Sequence, residues 1–215
     1  MPHWTSIEPV WAGEDVFVIG GGPSLKGFDW SRLLLERTIA CNGAFKLGSD
    51  IVDICIFNDM KFWRAYRNDL ADFGGIVCTA NRKLRNKADS WLWHLSRKAK
   101  GLHTDSIGWN TNTGSVALNL ALRLGAGRVI LLGFDMKLKD GKNNWHKYGL
   151  DGAKAGVMRR IKRSFSSLIP DVQKKWPGVE VLNVNDDSDL EGFPKIGVNE
   201  FFNDRRKHDE CFGRD

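Results

Sequence analysis

Short apolar runs separated by turn residues recur along the chain and give the first indication of its fold. Most of the runs are rich in β-branched residues and continuous rather than alternating, which is typical of strands buried on both faces of a parallel sheet. They predict strands at residues 16–19, 38–41, 51–57, 75–79, 128–132 and 179–184. Several intervening segments are long enough for crossover helices, so we expect an α/β fold, a Rossmann-like three-layer sandwich with a mostly parallel central sheet and helices on both faces.

Helical patterns fall between these runs, and they predict helices at residues 115–124, 153–168 and 86–99. Almost every side chain of the first is apolar, so we expect it to be buried between the sheet and another layer. Thr113 or Ser115 can cap its start, and Gly125 can end it in a left-handed turn. The third helix carries Trp91 and Trp93 among basic residues.

Composition limits the number of domains. With 215 residues, 42% of them hydrophobic, the chain can bury one sizeable core without disulfides. We therefore expect a single domain over residues 1–215, with residues 1–12 and 204–215 as peripheral tails. The cysteines lie far apart and form no C-x-x-C pair: they are Cys41, Cys55, Cys78 and Cys211. The first three lie in or beside apolar runs, so we predict small buried hydrophobes, as expected in a reducing cytosol.

The charge distribution bears on partners and on location. The formal charge is +6, and most of the excess comes from residues 82–100 and 154–175. Such surfaces favour nucleic acid or another polyanion, with Trp91 and Trp93 available for stacking, although a solvated charged face is the commoner explanation. No apolar segment approaches the ~18 residues that span a bilayer, and the first residues lack the features of a signal peptide. We expect a soluble, cytoplasmic protein, and the sequence leaves homo-oligomerisation open.

A glycine-rich turn directly follows the first predicted strand. It consists of Gly20, Gly21, Gly22, Pro23 and Ser24. Glycines let a ligand approach the backbone closely, and N–H groups at the start of a following helix can hold an anion, so we predict a nucleotide-phosphate loop. Leu25 stands where the dinucleotide fingerprint has its third glycine, and no Gly-Lys-Ser/Thr follows, so the ordinary NAD and P-loop interpretations lose support. The alternative is a tight turn without a ligand.

Polar residues also follow other predicted strands. Asn42 and Asn58 stand where two strands end, and in an open α/β sheet the ligand binds outside the carboxyl ends of the strands. Their amides suit hydrogen bonding to a ribose, base or phosphate, while the alternative is simple turn formation. Thr113, Gly114 and Ser115 lie at the start of the apolar helix, where free N–H groups would make a second anion site in addition to capping.

Two further candidates follow the strand at residues 128–132. Asp135 could bond a ribose or hold Mg²⁺ together with substrate phosphates. His146 titrates near neutrality and could act as general base on an acceptor hydroxyl. A lone surface histidine is more often inert, but this one lies in a polar, aromatic loop beyond the carboxyl edge of the sheet.

Together these motifs resemble a known superfamily. The matching stretches are VFVIGGGPSL, FDWSRL, IACNGAFKLG, IFND, NTGSVALNLALRLGAGRVILLGFDM and VEVLNVNDDSDLEGFPK, which cover most of the chain from Val16 to about Lys195. They resemble the bacterial sialyltransferases that modify lipooligosaccharide and the related hydroxymethylpterin diphosphokinase-like proteins. Small phage-encoded proteins labelled norphogenetic share the pattern and are closer in size to this chain.

The resemblance implies roles for individual residues. By similarity to the sialyltransferases, a cytidine nucleotide is contacted by Gly20, Gly22, Pro23, Ser24 and Asn42, and the donor nucleotide and sugar by Thr113, Gly114 and Ser115. A histidine base is implied as well, for which His146 is the nearest candidate. The diphosphokinase-like branch has a pattern that is matched by Gly133, Phe134, Asp135, Gly141 and His146.

The chain also departs from the sialyltransferases. It is shorter, and no segment matches their basic membrane-associating tail. It also lacks their tyrosine-rich lid, since its only tyrosines are Tyr66 and Tyr148. The leading hypothesis is a transferase that moves a glycosyl or diphosphoryl group from a nucleotide donor, a CMP-sugar or ATP, to a hydroxyl acceptor; Mg²⁺ is expected only for diphosphoryl transfer. The alternatives are a nucleotide- or nucleic-acid-binding protein without turnover and a transferase acting on a modified base in DNA.

Overall fold

A computed structural model describes residues 3–4, 6–85, 89–148 and 155–212. Its strands are His3–Trp4 (β1), Asp15–Ile19 (β2), Arg37–Cys41 (β3), Ile54–Ile56 (β4), Ile76–Thr79 (β5), Leu92–Leu95 (β6), Arg97–Lys98 (β7), Ile107–Gly108 (β8), Arg128–Leu132 (β9) and Glu180–Asn183 (β10). The α-helices are Met60–Ala71 (α1), Thr113–Arg123 (α2), Ala155–Ser166 (α3), Ile169–Lys175 (α4) and Val198–Phe212 (α5). Short 3-10 helices lie at Pro23–Leu25, Trp30–Leu33, Asn42–Leu47 and Arg82–Leu84.

Eight strands form one sheet in the order β1-β6-β5-β4-β3-β2-β9-β10, and every neighbouring pair is parallel. The strands β7 and β8 form a separate short parallel pair. Strand β2 lies inside the sheet, with β3 to β6 placed successively on one side of it and β9 and β10 on the other. The order in which strands are added to the sheet therefore reverses between β2 and β9. Open α/β sheets bind ligands at such a switch point.

Both faces of the sheet are covered, so the molecule has the three layers that the sequence predicts. On one face, alternate strand residues such as Val16, Val18 and Val129 pack against α2, α3 and α4. On the other face, Phe17 and Ile19 pack beneath α5 and the 3-10 helices, while α1 covers the side of β4, β5 and β6. The predicted fold class is confirmed, because strands buried on both faces read as the continuous apolar runs seen in the sequence.

The predicted strands are confirmed with small shifts at their ends. The largest change is at residues 51–57, where the strand is limited to Ile54–Ile56. Helix α2 begins at Thr113 and is capped by Asn112, whose side chain accepts a hydrogen bond from the Ser115 N–H. Gly125 follows this helix with a φ of +96°, as predicted for a left-handed end.

The helix predicted at residues 86–99 is wrong. Residues 86–88 lie outside the described residues, and the rest of the segment contains β6 and β7 instead. The large apolar residues from Trp91 to Leu95 extend the sheet, because β6 pairs with both β5 and β1 and so satisfies its backbone groups on two sides. Tertiary pairing overrides the helical preference of the Lys, Arg and Ala residues around it.

The remaining expectations concern the chain ends and the basic helix. Helix α5 continues to Phe212, and residues 213–215 lie outside the described residues. At the other end, Ile7 and Trp11 are buried in the core. The helix predicted at residues 153–168 appears as Ala155–Ser166, and residues 153 and 154 lie outside the described residues.

The cysteine prediction is confirmed for the three that the structure describes in full: Cys41, Cys55 and Cys78 are buried free thiols. Burial raises the pKa of Cys41 to about 12 and the pKa values of the other two well above their usual range, so these thiols are unreactive at neutral pH. Within the described residues, no helix combines the length and apolar character needed to cross a membrane.

Candidate functional site

A cleft opens at the switch point between β2 and β9. It is lined by residues 20–22 after β2, 41–42 after β3, 112–114 at the start of α2 and 133–136 after β9, with Met158 and Ile161 of α3 on the remaining side. Its volume is about 170 Å³. Small-molecule sites usually measure roughly 300–1,000 Å³, so a complete nucleotide sugar would extend beyond this cleft along the sheet edge. Loops predicted from separate parts of the sequence thus converge at one place.

The glycine loop does not form the predicted row of free amides. Its N–H groups are used inside the protein: Gly20 N–H donates to Leu132 O at 2.7 Å, Gly22 N–H to Gly133 O at 2.8 Å and Ser24 N–H to Asp135 Oδ2 at 2.8 Å. Pro23 has no N–H, and both Pro23 and Ser24 lie outside the cleft lining. These hydrogen bonds join the end of β2 to the end of β9. Of the predicted donors, the Gly21 N–H is left without a partner among the described residues.

Asp135 is the carboxylate that completes this junction. It is 4% exposed, and its two oxygens accept hydrogen bonds from the Ser24 N–H at 2.8 Å and the Ser24 hydroxyl at 2.6 Å. The loop amide expected to bind phosphate therefore binds a carboxylate of the protein itself. Asp135 therefore connects the β9 loop to the β2 loop, whereas the sequence suggested a contact with a ribose or a metal.

The start of α2 is a better place for an anionic or polar ligand group. Thr113 and Gly114 line the cleft, and N–H groups in the first turn of a helix have no acceptor within the helix. Ser115 differs from them, because it is fully buried and its N–H and hydroxyl both bond to Asn112. The second anion site predicted at this helix start stays a prediction, and the sequence did not single out Asn112 as the cap.

Asn42 lines the cleft with an unusual backbone and an unsatisfied side chain. Its φ is +52°, in the left-handed region that Asn tolerates better than most residues. Its Oδ1 is buried and accepts no hydrogen bond from any described residue. A buried acceptor without a donor costs about 1–3 kcal/mol, so a ligand donor at this position would stabilise the protein.

Asn58 does not line this cleft. Its Oδ1 accepts a hydrogen bond from the Ala80 N–H at 2.9 Å, and its backbone oxygen accepts one from Asn81 Nδ2 at 2.8 Å. These bonds join the loops that follow β4 and β5. The side-chain oxygen of Asn58 therefore links two loops, and its Nδ2 is buried without a hydrogen-bond partner among the described residues.

The loop that carries His146 is docked onto the glycine loop. The Trp145 backbone N–H donates to Gly21 O at 2.9 Å, and its indole N–H donates to Gly20 O at 3.1 Å. These contacts place the imidazole of His146 over Gly21 and Gly43. A Cβ atom at Gly43 would lie only 2.7 Å from the imidazole Cε1, so a larger residue there would displace the His146 loop.

One hydrogen bond determines the chemical state of His146. The Tyr148 N–H donates to its Nδ1 at 3.2 Å, which assigns the proton of the neutral ring to Nε2. Burial lowers the pKa of this histidine, so the ring is neutral at pH 7. In this tautomer the Nε2–H can donate a hydrogen bond. The base role expected from the sequence stays a prediction.

Among the described residues, nothing supports the magnesium role expected of Asp135. In the described part of the chain, no three His, Cys, Asp or Glu side chains come together as a group of metal ligands. Asp135 is the carboxylate in the cleft lining, and both its oxygens already accept hydrogen bonds from Ser24. The Mg²⁺ role expected for Asp135 therefore enters no step of the mechanism proposed below.

Several cleft residues were not assigned a role from the sequence: Cys41, Asn112, Met136, Met158 and Ile161. Gly133 and Phe134, which the sequence singled out only through the diphosphokinase-like pattern, also line the cleft directly after β9. Met158 and Ile161 reach the cleft from α3 only through the packing of that helix. Their periodicity indicates an inward face without indicating what that face meets.

The strand order, the layers and the cleft at the switch point define a Rossmann-like α/β fold. In a comparison with solved structures, the chain is similar to the sialyltransferase CstII from Campylobacter jejuni in complex with cytidine-5′-monophosphate, with a TM-score of 0.53 and 14% identity over 86% of each chain. A structure of CstII in complex with CMP-3FNeuAc gives a TM-score of 0.49 and 14% identity over 85% of each chain. Neither the models of protein families nor the curated proteins give a match. The likeness shows a shared fold.

Proposed function

We propose that this protein is a nucleotide-dependent transferase that moves a glycosyl group from a nucleotide sugar, such as a CMP-sugar, to a hydroxyl acceptor. The observation that carries the proposal is the convergence of the β2, β3 and β9 ends with the start of α2 around one cleft that contains the unsatisfied Oδ1 of Asn42. The likeness in fold to a sialyltransferase whose complex contains cytidine-5′-monophosphate adds support.

The geometry suggests how the donor would bind. The first-turn N–H groups of Thr113 and Gly114 would bond to the phosphate or another anionic group of the donor, aided by the positive end of the helix dipole. The Oδ1 of Asn42 would accept a hydrogen bond from the base or the ribose. The glycines at residues 20–22 keep this side of the cleft free of side chains.

His146, which lies over Gly21 beside the cleft and is not part of its lining, would act at the reacting end of the donor. Because its Nε2 carries the proton, it would donate a hydrogen bond to the phosphate oxygen on which negative charge develops as the glycosyl bond breaks. This differs from the base role expected from the sequence. The acceptor hydroxyl would transfer its proton to another group, such as water.

A nucleotide panel tests the proposal. Melting temperatures should be compared with CMP, CTP, GTP and ATP, each with and without Mg²⁺. We expect CMP and CTP to stabilise the protein without the metal, by about 2.7 kcal/mol at 100 times the Kd. If ATP in the presence of Mg²⁺ were the single stabilising condition, the result would support diphosphoryl transfer instead. No stabilisation by any nucleotide would contradict the proposal.

A pair of variants locates the binding site. Asn42→Gly removes the unsatisfied oxygen and relieves the left-handed backbone, so we expect an intact fold and about tenfold weaker CMP binding. Leu35→Gly is the matched control, because Leu35 also has a positive φ, of +66°, and is fully exposed. Equal CMP affinity in both variants would place the nucleotide elsewhere.

A further inference from the structure

A second cavity lies at the same edge of the sheet, beyond the ends of β5 and β6. Its volume is about 410 Å³, and its lining includes Arg82, Arg85 and Arg97 together with His94 and Ser96. None of its lining residues belongs to the cleft at the switch point. It lies within the basic segment that the sequence singled out and that the proposed transfer reaction does not use.

The three arginines of this cavity have no carboxylate partner among the described residues. The acidic residues that flank them in sequence are already engaged. Asp89 pairs with Arg67 at 2.5 Å, and Asp105 pairs with Lys98 at 2.5 Å. The cavity therefore concentrates positive charge without an internal counter-charge.

Two of these cations are held close together. Arg82 Nη2 donates a hydrogen bond to the backbone oxygen of Arg97 at 3.3 Å, and the guanidinium carbon of Arg97 lies 4.0 Å from the centre of the Trp109 ring. Burial lowers the pKa of Arg97, and the charge of Arg82 lowers it further. A bound anion would offset this repulsion.

We propose that this cavity binds the phosphate group of a small phosphorylated molecule. Guanidinium groups present planar pairs of N–H donors that match phosphate oxygens, and three of them line one cavity here. The hydroxyl of Ser96, also in the lining, adds a neutral donor. The inference stands independently of the proposed transfer reaction.

A small molecule fits the surroundings better than a nucleic acid. Single strands bind by stacking bases on exposed aromatic rings beside a basic groove. The rings that the sequence offered for this purpose are already packed: Trp91 stacks on Trp63 with centroids 5.6 Å apart, and Trp93 packs against the core. Trp109 is covered by Arg97.

The distance across the strands separates the arginine-lined cavity from the cleft at the switch point. Strands β5 and β6 are the third and fourth neighbours of β2. With neighbouring strands about 4.8 Å apart, the two sites lie roughly 14–19 Å from each other. A nucleotide and a separate phosphorylated compound could therefore bind at the same time.

The test is a calorimetric titration of the full chain, once with inorganic phosphate and once with phenyl phosphate, at constant ionic strength. We expect saturable binding that weakens about tenfold in Arg85→Gln and in Arg97→Gln. Arg85 is exposed, so its variant tests binding without disturbing the core. Arg64→Gln, at an exposed position of α1, is the matched control and should bind like the unmodified protein.

Each result has a defined meaning. Phosphate binding that is absent, or equally weakened in Arg64→Gln, overturns the inference. So does tight, arginine-dependent binding of a single-stranded oligonucleotide without binding of either phosphate, which would assign the cavity to nucleic acid. Phosphate binding in a protein that fails to bind any nucleotide supports this inference and contradicts the proposed transfer reaction only.

Discussion

At the scale of single residues, the donor role proposed for His146 rests on one backbone hydrogen bond. The sequence offers a titratable ring near a sheet edge, which is compatible with a base, a donor or an inert surface group. The bond from the Tyr148 N–H to Nδ1 leaves Nε2 as the protonated nitrogen. The direction of this bond depends on how the loop folds back on itself, and no sequence pattern encodes it.

The state of His146 can be measured directly by nitrogen NMR. We expect the proton on Nε2 and a pKa below about 6.5, the unfolded value. Because the folded pKa is the lower one, the stability from the neutral ring is present above pH 6.5 and is lost as the pH falls through the folded pKa. His146→Gln should weaken that pH dependence and retain nucleotide affinity, since its amide can donate from a similar position, whereas His146→Asn should not retain affinity. A proton on Nδ1 would contradict the donor assignment.

At the scale of elements, the junction of the β2 and β9 loops depends on Gly22. A Cβ atom there would lie 2.2 Å from Asp135 Oδ1 and 2.5 Å from Gly133 O. We expect Gly22→Ala to lower the free energy of unfolding by about 1–3 kcal/mol, measured by urea denaturation. Gly156→Ala in α3 is the control, because its Cβ would meet no atom within 4 Å and should be neutral or stabilising. Equal stability of Gly22→Ala and the unmodified protein would show that the junction adapts at no cost.

The elements also show what the sequence could and could not predict. Long buried strands were predictable because burial on both faces leaves a continuous apolar run, as in Arg128–Leu132. The two-residue strands His3–Trp4 and Ile107–Gly108 were not, because only pairing with distant residues makes them strands. At the site, the internal use of the glycine-loop amides could not be predicted, because it depends on contacts between β2 and β9, which are far apart in the sequence.

At the scale of the whole molecule, parallel strands place the loops of the site on one edge. CMP should therefore slow amide hydrogen exchange in segments 20–22, 42–47, 112–114 and 133–148, which lie at or beside the cleft. The opposite edge, where strands such as Asp15–Ile19 begin, should exchange at an unchanged rate. Comparison of exchange with and without CMP by mass spectrometry checks this, and uniform slowing over both edges would contradict a single cleft.

The central place of β2 also has a consequence for synthesis on the ribosome. Its partner β3 follows within about twenty residues, but its other partner, β9, ends at residue 132. Until that segment emerges, one side of the apolar strand Asp15–Ile19 remains unpaired, and such an exposed strand is a template for aggregation. A nascent chain that stalls between these two strands would therefore be a natural client for a chaperone.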